Sequence, residues 1–296
     1  MRNAGWLFYR NYYDWLEKPG GERYLQHFDD TGKLAKDKDV LFKEESRALT
    51  DFGFETGLND FFPVGNQHFE LETTYPGLLV GSGYSHQTGA KGKFKRVALG
   101  NKESKQHDQT GATGEFKLGF FFDHCTGLPV IPGSSVKGLL RSAFPNREKQ
   151  ETVQQAKTAF VQSLLAQIRP ELVDLPIDQL EELLFSGKTE SGDYLPMYEH
   201  DVFLDAHIIG TRNEGKRIFG EDYLTPHPNP LKNPIPVRFL KILPKVRFRF
   251  NFNLQPSTLT GLTLYAADKE HLFRIILEQL GIGAKTNVGY GQFFAP

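Results

Sequence analysis

Alternating hydrophobic and polar positions predict several β-strands. The clearest alternation runs from Val246 to Leu254, where phenylalanines alternate with Arg and Asn residues. A strand with one buried face and one polar face has this pattern. Shorter patterns predict a pair of strands over residues 67–84, joined at Tyr75-Pro76-Gly77, and single strands over residues 116–122, 203–209 and 290–294.

Hydrophobic residues at helical spacing predict four further elements. A helix begins after Pro132-Gly133, with Ser134 or Ser135 as its predicted N-cap. Residues 150–186 hold two amphipathic helices that interrupt the strands like an insertion. The last helix is predicted to begin at Asp268 as its cap and to end at Gly281.

This order of elements predicts an α+β fold of the ferredoxin-like (RRM-like) kind, a repeated split βαβ unit with helical insertions and a C-terminal glycine-rich loop. No internal sequence repeat is evident, so we predict one elaborated domain over residues 1–296. Residues 1–50 are predicted to form an aromatic helix and a charged loop. Residues 85–115 are rich in Gly and Lys and predict a basic flexible loop.

Composition and charge narrow the function. The chain has a globular composition, with 39% hydrophobic and 24% charged residues. Its net charge of -1 is unusual for a protein that binds nucleic acid alone. However, residues 206–296 hold 12 Lys and Arg residues against 6 Asp and Glu residues. Arg247 and Arg249 lie in a stretch without acidic residues, which predicts either a phosphate-binding surface or one that faces solvent or another subunit.

A single cysteine, Cys125, excludes a disulfide within the chain and a cysteine-based metal site. We therefore expect a reducing, cytoplasmic location. We also expect no membrane span, because no stretch of the sequence approaches the ~20 apolar residues that a span needs.

The most specific motif is Gly281-Ile-Gly283 followed, after five residues, by Gly289-Tyr-Gly291. Glycines permit a positive φ angle, and a run of exposed backbone N–H groups can bind phosphate oxygens. Lys285 would add charge, while Thr286 and Asn287 would add hydrogen bonds. The motif follows a helix, unlike the dinucleotide fingerprint, and it lacks the Gly-Lys-Ser/Thr of a P-loop. A plain helix cap followed by a tight turn explains the pattern equally well.

The second motif is the helix start at Pro132-Gly-Ser-Ser-Val-Lys-Gly138. Free N–H groups at the start of a helix attract anions. Lys137 and Arg141 are four residues apart and share a face of the predicted helix. The alternative is an ordinary capped helix on the surface.

Together these motifs resemble the RAMP superfamily of CRISPR-associated RNA-binding proteins. Four segments are similar to the sixth-subunit family of the Cmr complexes: the aromatic segment 8–13, the Pro-rich segments 224–230 and 234–240, and the closing glycine motif. The resemblance extends along the chain, except for residues 29–50 and 85–115.

The resemblance implies a non-catalytic RNA-binding subunit of a type III-B CRISPR (Cmr) effector ribonucleoprotein in antiviral defence. Such a subunit would contact the guide RNA near its 3′ end and cap the backbone filament. The implied partners are the CRISPR guide RNA, complementary target RNA, the backbone RAMP subunit, the small subunit and the first Cmr subunit, with no cofactor. The predicted RNA-binding residues are Ser134, Ser135, Lys137, Arg141, Gly283, Lys285, Thr286, Asn287, Gly289, Tyr290, Arg247 and Arg249.

Two alternatives remain open. A RAMP-type, metal-independent endoribonuclease that processes CRISPR repeat RNA would need a general acid or base, for which the candidates are His124, His200, His207 and His227. A scaffold subunit without RNA contact is the other alternative. We predict no catalytic residue and no metal site, since Asp205 and His207 on one strand face supply only two ligands.

Overall fold

The computed structural model describes residues 3–8, 47–55, 65–80, 120–224 and 237–296. The chain divides into two compact units. The first unit comprises residues 1–55, 79–129 and 211–243, and the second comprises residues 56–78, 130–210 and 244–296. Most of the predicted N-terminal helix and charged loop, the predicted basic loop over 85–115, and His227 lie outside the described residues. Compactness does not decide whether the units fold independently, so a single domain stays a prediction.

The sheet of the second unit is centred on two long antiparallel strands, β1 (Gln67–Thr73) and β7 (Val246–Asn253). Their register sets Phe69 opposite Phe250 and Leu71 opposite Phe248. All four of these side chains are buried, as the alternation of β7 predicts. The short strand β10 (Phe293–Phe294) pairs with the end of β1 at the sheet edge, which confirms the predicted terminal strand.

Three short strands complete this sheet: β2 (Val130–Ile131), β3 (Val202–Phe203) and β4 (Ala206–Thr211). The strand order is β10-β1-β7-β4-β2, and β3 pairs with β7. The predicted strand over 203–209 is therefore interrupted at Leu204-Asp205. This interruption positions Asp205, whose Oδ1 accepts a hydrogen bond from the N–H of Gly133 at 2.7 Å.

Four helices of the second unit contribute buried residues to its core: α2 (Gly133–Ser142), α3 (Glu151–Ile168), α4 (Ile177–Ser186) and α5 (Ala266–Leu280). The ring of Phe273 on α5 lies 5.7 Å from that of Phe252, which fixes α5 against the sheet. The hairpin of β8 (Ser257–Leu259) and β9 (Leu262–Leu264) precedes α5. Among the described residues, none of the helices has the length and apolar character to cross a bilayer.

The caps of α4 and α5 agree with the sequence in part. Gly187 ends α4 with a φ of 68°, and Gly281 ends α5 with a φ of 68°. Asp268, the predicted cap of α5, lies instead in its first turn. There its carboxylate accepts the N–H of Tyr265, the actual N-cap, at 2.9 Å.

In the first unit, the described residues form a short helix α1 (Ala4–Trp6) and the antiparallel strands β5 (Phe219–Leu224) and β6 (Val237–Ile242). Four phenylalanine rings pack together here with centroid distances of 5.5 to 6.3 Å: Phe8, Phe120, Phe122 and Phe219. Aromatic burial thus accounts for much of the Phe content that the sequence left open between packing and base stacking.

Two strand predictions differ from the structure within the described residues. Residues 74–80 form a turn and no second long strand, because β1 pairs with β7 and β10 instead. Of the predicted strand over 116–122, the described residues make only isolated bridges, such as that of Phe122 with Pro129. The general prediction of a mixed fold of helices and an antiparallel sheet is confirmed.

Candidate nucleic-acid interface

The glycine loop, residues 281–291, begins where α5 ends and returns the chain to the sheet edge at β10. Two backbone hydrogen bonds hold its ends. The N–H of Ile282 donates to the carbonyl of Gly291 at 2.9 Å, and the N–H of Gly291 donates to the carbonyl of Gly77 at 2.8 Å. The loop is therefore closed on itself and attached to the turn that follows β1.

Glycine is required at both ends of this closure. A Cβ added at Gly281 would lie 2.6 Å from the carbonyl oxygen of Gly291, and one added at Gly291 would lie 1.9 Å from that of Ile282. Both glycines also have positive φ angles, 68° and 70°. The glycines of the motif therefore allow the backbone at residues 281–282 to lie close to the backbone at residue 291.

The middle of the loop presents a run of unused backbone donors. Among the described residues, the N–H groups of residues 283–287 donate to no protein acceptor. The backbone of Lys285 is in the left-handed conformation, with φ 63° and ψ 34°, and the right-handed 3₁₀ turn Thr286–Val288 follows it. Left-handed and right-handed residues in succession direct their N–H groups into one concavity, which is a backbone site for anions.

Two lysines add positive charge at this end of the sheet. Lys285 lies within the loop. Lys245 is exposed, and its N–H donates to the carbonyl of Thr73 at 2.8 Å, so it lies where β1 ends and β10 pairs. Within the described part of the chain, neither lysine has a carboxylate partner. Lys245 lies in the same stretch without acidic residues as Arg247 and Arg249, but it is not among the predicted RNA-binding residues.

The predicted loop residues differ in their accessibility. Gly283 and Asn287 are exposed, while Lys285, Thr286 and Gly289 are half-buried. Tyr290 is only 8% exposed and belongs to the core of the second unit. Its ring therefore presents no face on which a base could stack, although the sequence makes it a candidate for contact with RNA.

The start of α2 differs from its prediction. The N-cap is Pro132, and neither Ser134 nor Ser135 caps the helix with its side chain. The carboxylate of Asp205 caps it instead, through the bond to the N–H of Gly133. The capping group comes from a distant strand, which no local pattern reveals, and it already places an anion at this helix start.

The two cations of α2 face protein groups. The Nζ of Lys137 lies 5.5 Å from the ring centroid of Phe203. Burial lowers the pKa of Lys137, Arg141 lowers it further, and Asp201 opposes both effects. Arg141 donates to Glu181 at 3.0 Å and to Glu182 at 2.9 Å, and Glu181 is fully buried. Arg141 thus joins α2 to α4.

The arginines of β7 are also paired. Arg249 donates to the carboxylate of Glu70 on β1 at 2.9 Å, and Arg247 lies 3.8 Å from the other oxygen of the same group. Glu70 neutralises part of the positive charge that the local sequence predicts for a phosphate surface. These arginines remain predicted RNA contacts, with a cross-strand ion pair as their observed role.

The two motifs do not form one site, although a repeated split βαβ unit leads one to expect the start of α2 and the glycine loop on the same side of the domain. The glycine loop lies at the Val246 end of β7, because β10 and Lys245 both contact Thr73 there. The start of α2 lies at the other end, since Phe203, beneath Lys137, pairs with Phe252. The ends are roughly 20 Å apart at about 3.3 Å per residue. The expectation fails because it equates the start of α2 with the loop that follows the end of α5.

Three of the four candidate histidines lie in the described regions. His124 is exposed, His207 is 5% exposed, and a ring nitrogen of His200 lies 2.9 Å from the carbonyl oxygen of Leu195. No group of three or more metal-ligating side chains occurs in the parts of the chain that the structure describes.

A family model now adds to this geometry. The model described as the RAMP superfamily matches residues 70–293, which include most of the second unit's sheet and the whole glycine loop. The chain therefore belongs to the RAMP superfamily, and the resemblance found in its motifs is confirmed.

Within the superfamily, the chain is similar to sixth subunits of Cmr complexes. It is 26% identical over 210 residues to the CRISPR system Cmr subunit Cmr6 of Pyrococcus furiosus, covering 56% of this chain and 58% of that one. It is also 26% identical over 189 residues to Cmr6 of Saccharolobus solfataricus, covering 60% of this chain and 49% of that one. The chain spans about half the length of these relatives.

Solved structures show looser similarity. One is a chain of a type III-B Cmr-beta complex bound to cognate target RNA, at 24% identity and a TM-score of 0.39, covering 76% of this chain and 56% of that one. Another is the crystal structure of Cmr6 from Pyrococcus furiosus, at 19% identity and a TM-score of 0.38, covering 78% and 97%.

Proposed function

We propose that this chain is an RNA-binding subunit of a type III-B Cmr ribonucleoprotein and has no catalytic activity of its own. One observation carries the proposal: five consecutive backbone N–H groups of the glycine loop are unused and lie at the same end of the sheet as Lys245 and Lys285. Backbone donors with nearby cations suit phosphate oxygens rather than base edges. The loop would hold the backbone of a guide RNA, whatever its sequence.

The proposal includes the partners that the family implies. The chain would contact the guide near its 3′ end, cap the backbone filament, and adjoin the backbone RAMP subunit, the small subunit and the first Cmr subunit. Complementary target RNA would pair with the guide. The net charge of -1 supports this assembled state, because acidic faces can contact neighbouring subunits while one end of the sheet contacts RNA.

The order of elements supports the ferredoxin-like form of the fold. In the second unit β1, α2, β4, β7, α5 and β10 follow one another as βαββαβ. The helices α3 and α4 are inserted between α2 and β4. In this interpretation the glycine loop connects the last helix to the last strand.

The absence of catalysis is a proposal that rests on the histidines. Cleavage through the 2′-OH needs a general acid or base close to a cation that can approach the scissile phosphate. His207 is buried, and His200 interacts with a backbone carbonyl. We expect repeat RNA to remain intact with the purified chain, both with and without divalent metal. Specific cleavage that is lost in His124→Ala or His227→Ala would favour the endoribonuclease instead.

Charge reversal tests the RNA site. We expect Lys285→Glu to lower guide retention in the assembled complex, and Lys245→Glu to add to this loss. Lys149→Glu is the matched control, since Lys149 is exposed on the loop between α2 and α3. Lys137→Glu, measured separately, tests the predicted contact at the other end of β7.

Salt dependence identifies the interaction as phosphate binding. The slope of log K against log salt is negative, and removing one phosphate interaction with a single strand reduces its magnitude by about 0.7. We therefore expect a shallower slope for Lys285→Glu than for the control, and the same reduction for guides of different sequence. Guide retention and slope equal to those of Lys149→Glu, with assembly intact, would contradict the proposed site.

A further inference from the structure

The turn that follows β1 and contacts the glycine loop carries the most exposed tyrosine among the described residues. Tyr75 is 84% exposed. It follows Thr74, whose N–H donates to the carbonyl of Gln292 at 3.0 Å and whose Oγ1 donates to the same oxygen at 3.2 Å. A large aromatic side chain is thus held in solvent directly beside the candidate phosphate site.

This turn is fixed to the loop on both of its sides. Beyond Tyr75, the carbonyl of Gly77 accepts the N–H of Gly291 at 2.8 Å, and the ring of Pro76 lies 3.6 Å from where a Cβ of Gly289 would be. The backbone position of Tyr75 relative to the loop is therefore set before any ligand binds. Such preorganisation reduces the ordering that binding requires.

The surroundings of Tyr75 combine apolar and cationic surface. Val288, in the 3₁₀ turn of the loop, is 61% exposed, and Phe294 on β10 is 42% exposed. Lys245 is exposed at the same end of the sheet. Proteins that bind single-stranded nucleic acid place an aromatic ring beside donors for the backbone, since every base has a π face.

We propose that Tyr75 stacks on one unpaired base of the RNA whose phosphate the glycine loop holds. This inference rests on the proposed function and specifies its ligand as single-stranded RNA, gripped at the backbone and at one base. Stacking does not distinguish the four bases by hydrogen bonding, so the contact tolerates any guide sequence. Tyr75 thereby takes the stacking role that the buried Tyr290 cannot fill.

Fluorescence of 2-aminopurine tests the stacking directly. The probe is a guide RNA with 2-aminopurine at one position at a time, assembled with the full complex. Stacking on an aromatic ring quenches this fluorophore. We expect one guide position to be quenched in the wild type, several-fold brighter in Tyr75→Ala, and still quenched in Tyr75→Phe, because the phenyl ring keeps the π face.

Tyr194→Ala is the matched control. Tyr194 is 69% exposed on the loop after α4, and Glu190 of that loop accepts the N–H of Thr260 in the β8–β9 hairpin before α5. It is therefore separated from the glycine loop by the length of α5, about 22 Å at 1.5 Å per residue. This variant should leave the quenched position unchanged.

The outcomes separate the stacking from the proposed function. If Lys285→Glu lowers guide retention while no position brightens in Tyr75→Ala, the stacking is wrong and the RNA-binding function stands. If Lys285→Glu and Tyr75→Ala both match their controls, the proposed function fails as well. If Tyr75→Ala instead releases a protein subunit with the guide signal unchanged, the exposed tyrosine is a protein contact, and the stacking proposal is overturned.

Discussion

Replacing Gly291 by Ala perturbs the closure of the glycine loop at a single atom. The added Cβ would lie 1.9 Å from the carbonyl oxygen of Ile282, which is a backbone atom and cannot rotate away. The loop must therefore open at the Ile282–Gly291 hydrogen bond, whose length is 2.9 Å. We expect both a loss of stability and a loss of guide retention.

A matched glycine isolates the steric part of this effect. Gly261, in the turn of the β8–β9 hairpin, has a φ of 81°, and a Cβ added there meets nothing within 4 Å. Gly261→Ala should cost about 1–2 kcal/mol, the cost of left-handed backbone for an L-residue. Gly291→Ala bears this same backbone cost. It also loses the hydrogen bond, at about 1 kcal/mol, and suffers the clash itself, so we expect more than about 2–3 kcal/mol in total.

Urea unfolding followed by circular dichroism measures the loss of stability in both variants, and guide retention is measured below the unfolding transition. Only Gly291→Ala should release guide, since the hairpin lies at the other end of α5. Equal destabilisation by the two variants would refute the reasoning, because it would mean that the close approach of Ile282 and Gly291 is not required. Full retention in a destabilised Gly291→Ala would separate the closure from RNA binding.

Two further predictions concern the other end of the sheet. Lys269 is fully buried, and its Nζ lies 2.6 Å from the carboxylate of Asp201; Asp201→Asn should therefore cost about 3–5 kcal/mol in urea unfolding at neutral pH. Burial lowers the pKa of Lys269 below 10.5, and Asp201 opposes this shift. Without the Asp201 carboxylate, the unfolded chain therefore binds more protons than the folded one over a wider pH range. The stability of the Asp201→Asn variant should recover as the pH rises towards 10.5, and a deficit independent of pH would contradict this. Asp205→Ala removes the cap of α2 and should cost about 1 kcal/mol, whereas Asp205→Asn should keep most of the stability, and equal losses in the two variants would show that the bond to Gly133 is not stabilising.

Local periodicity was sufficient for the elements whose residues determine their own structure. The alternation of Phe and Arg in β7 needs only a buried face and a polar face. Gly187 and Gly281 end their helices because a positive φ angle favours glycine wherever it occurs. These features are properties of short segments, and the structure confirms them.

The features that the sequence did not predict depend on contacts between distant segments. Asp205 caps α2 from 72 residues away, and Glu70 pairs with Arg249 from 179 residues away. The serines at the start of α2 have a good local capping pattern, but the distant carboxylate takes their place. Tyr75 was visible in the sequence only as part of a turn, and its significance comes from the glycine loop packed against that turn.

The same distant contacts limit the positive charge that the proposed RNA site would have. The basic stretch suggested a broad positive surface, but Arg249 is neutralised by Glu70 and Lys241 by Asp222, at 2.9 and 2.7 Å. Among the residues that the structure describes, Lys245 and Lys285 have no carboxylate partner, and they lie at the same end of the sheet as backbone donors that a count of formal charge omits.

The proposed site would make few phosphate contacts, so the isolated chain should bind RNA weakly and with a shallow salt dependence. Strong retention then requires neighbouring subunits that hold the same strand, because each contact made by a neighbour raises the effective concentration of RNA at this loop. We therefore expect the effects of Lys285→Glu and Tyr75→Ala to be measurable in the assembled complex. Tight, salt-insensitive binding by the chain alone would show instead that its RNA contacts lie outside the glycine loop.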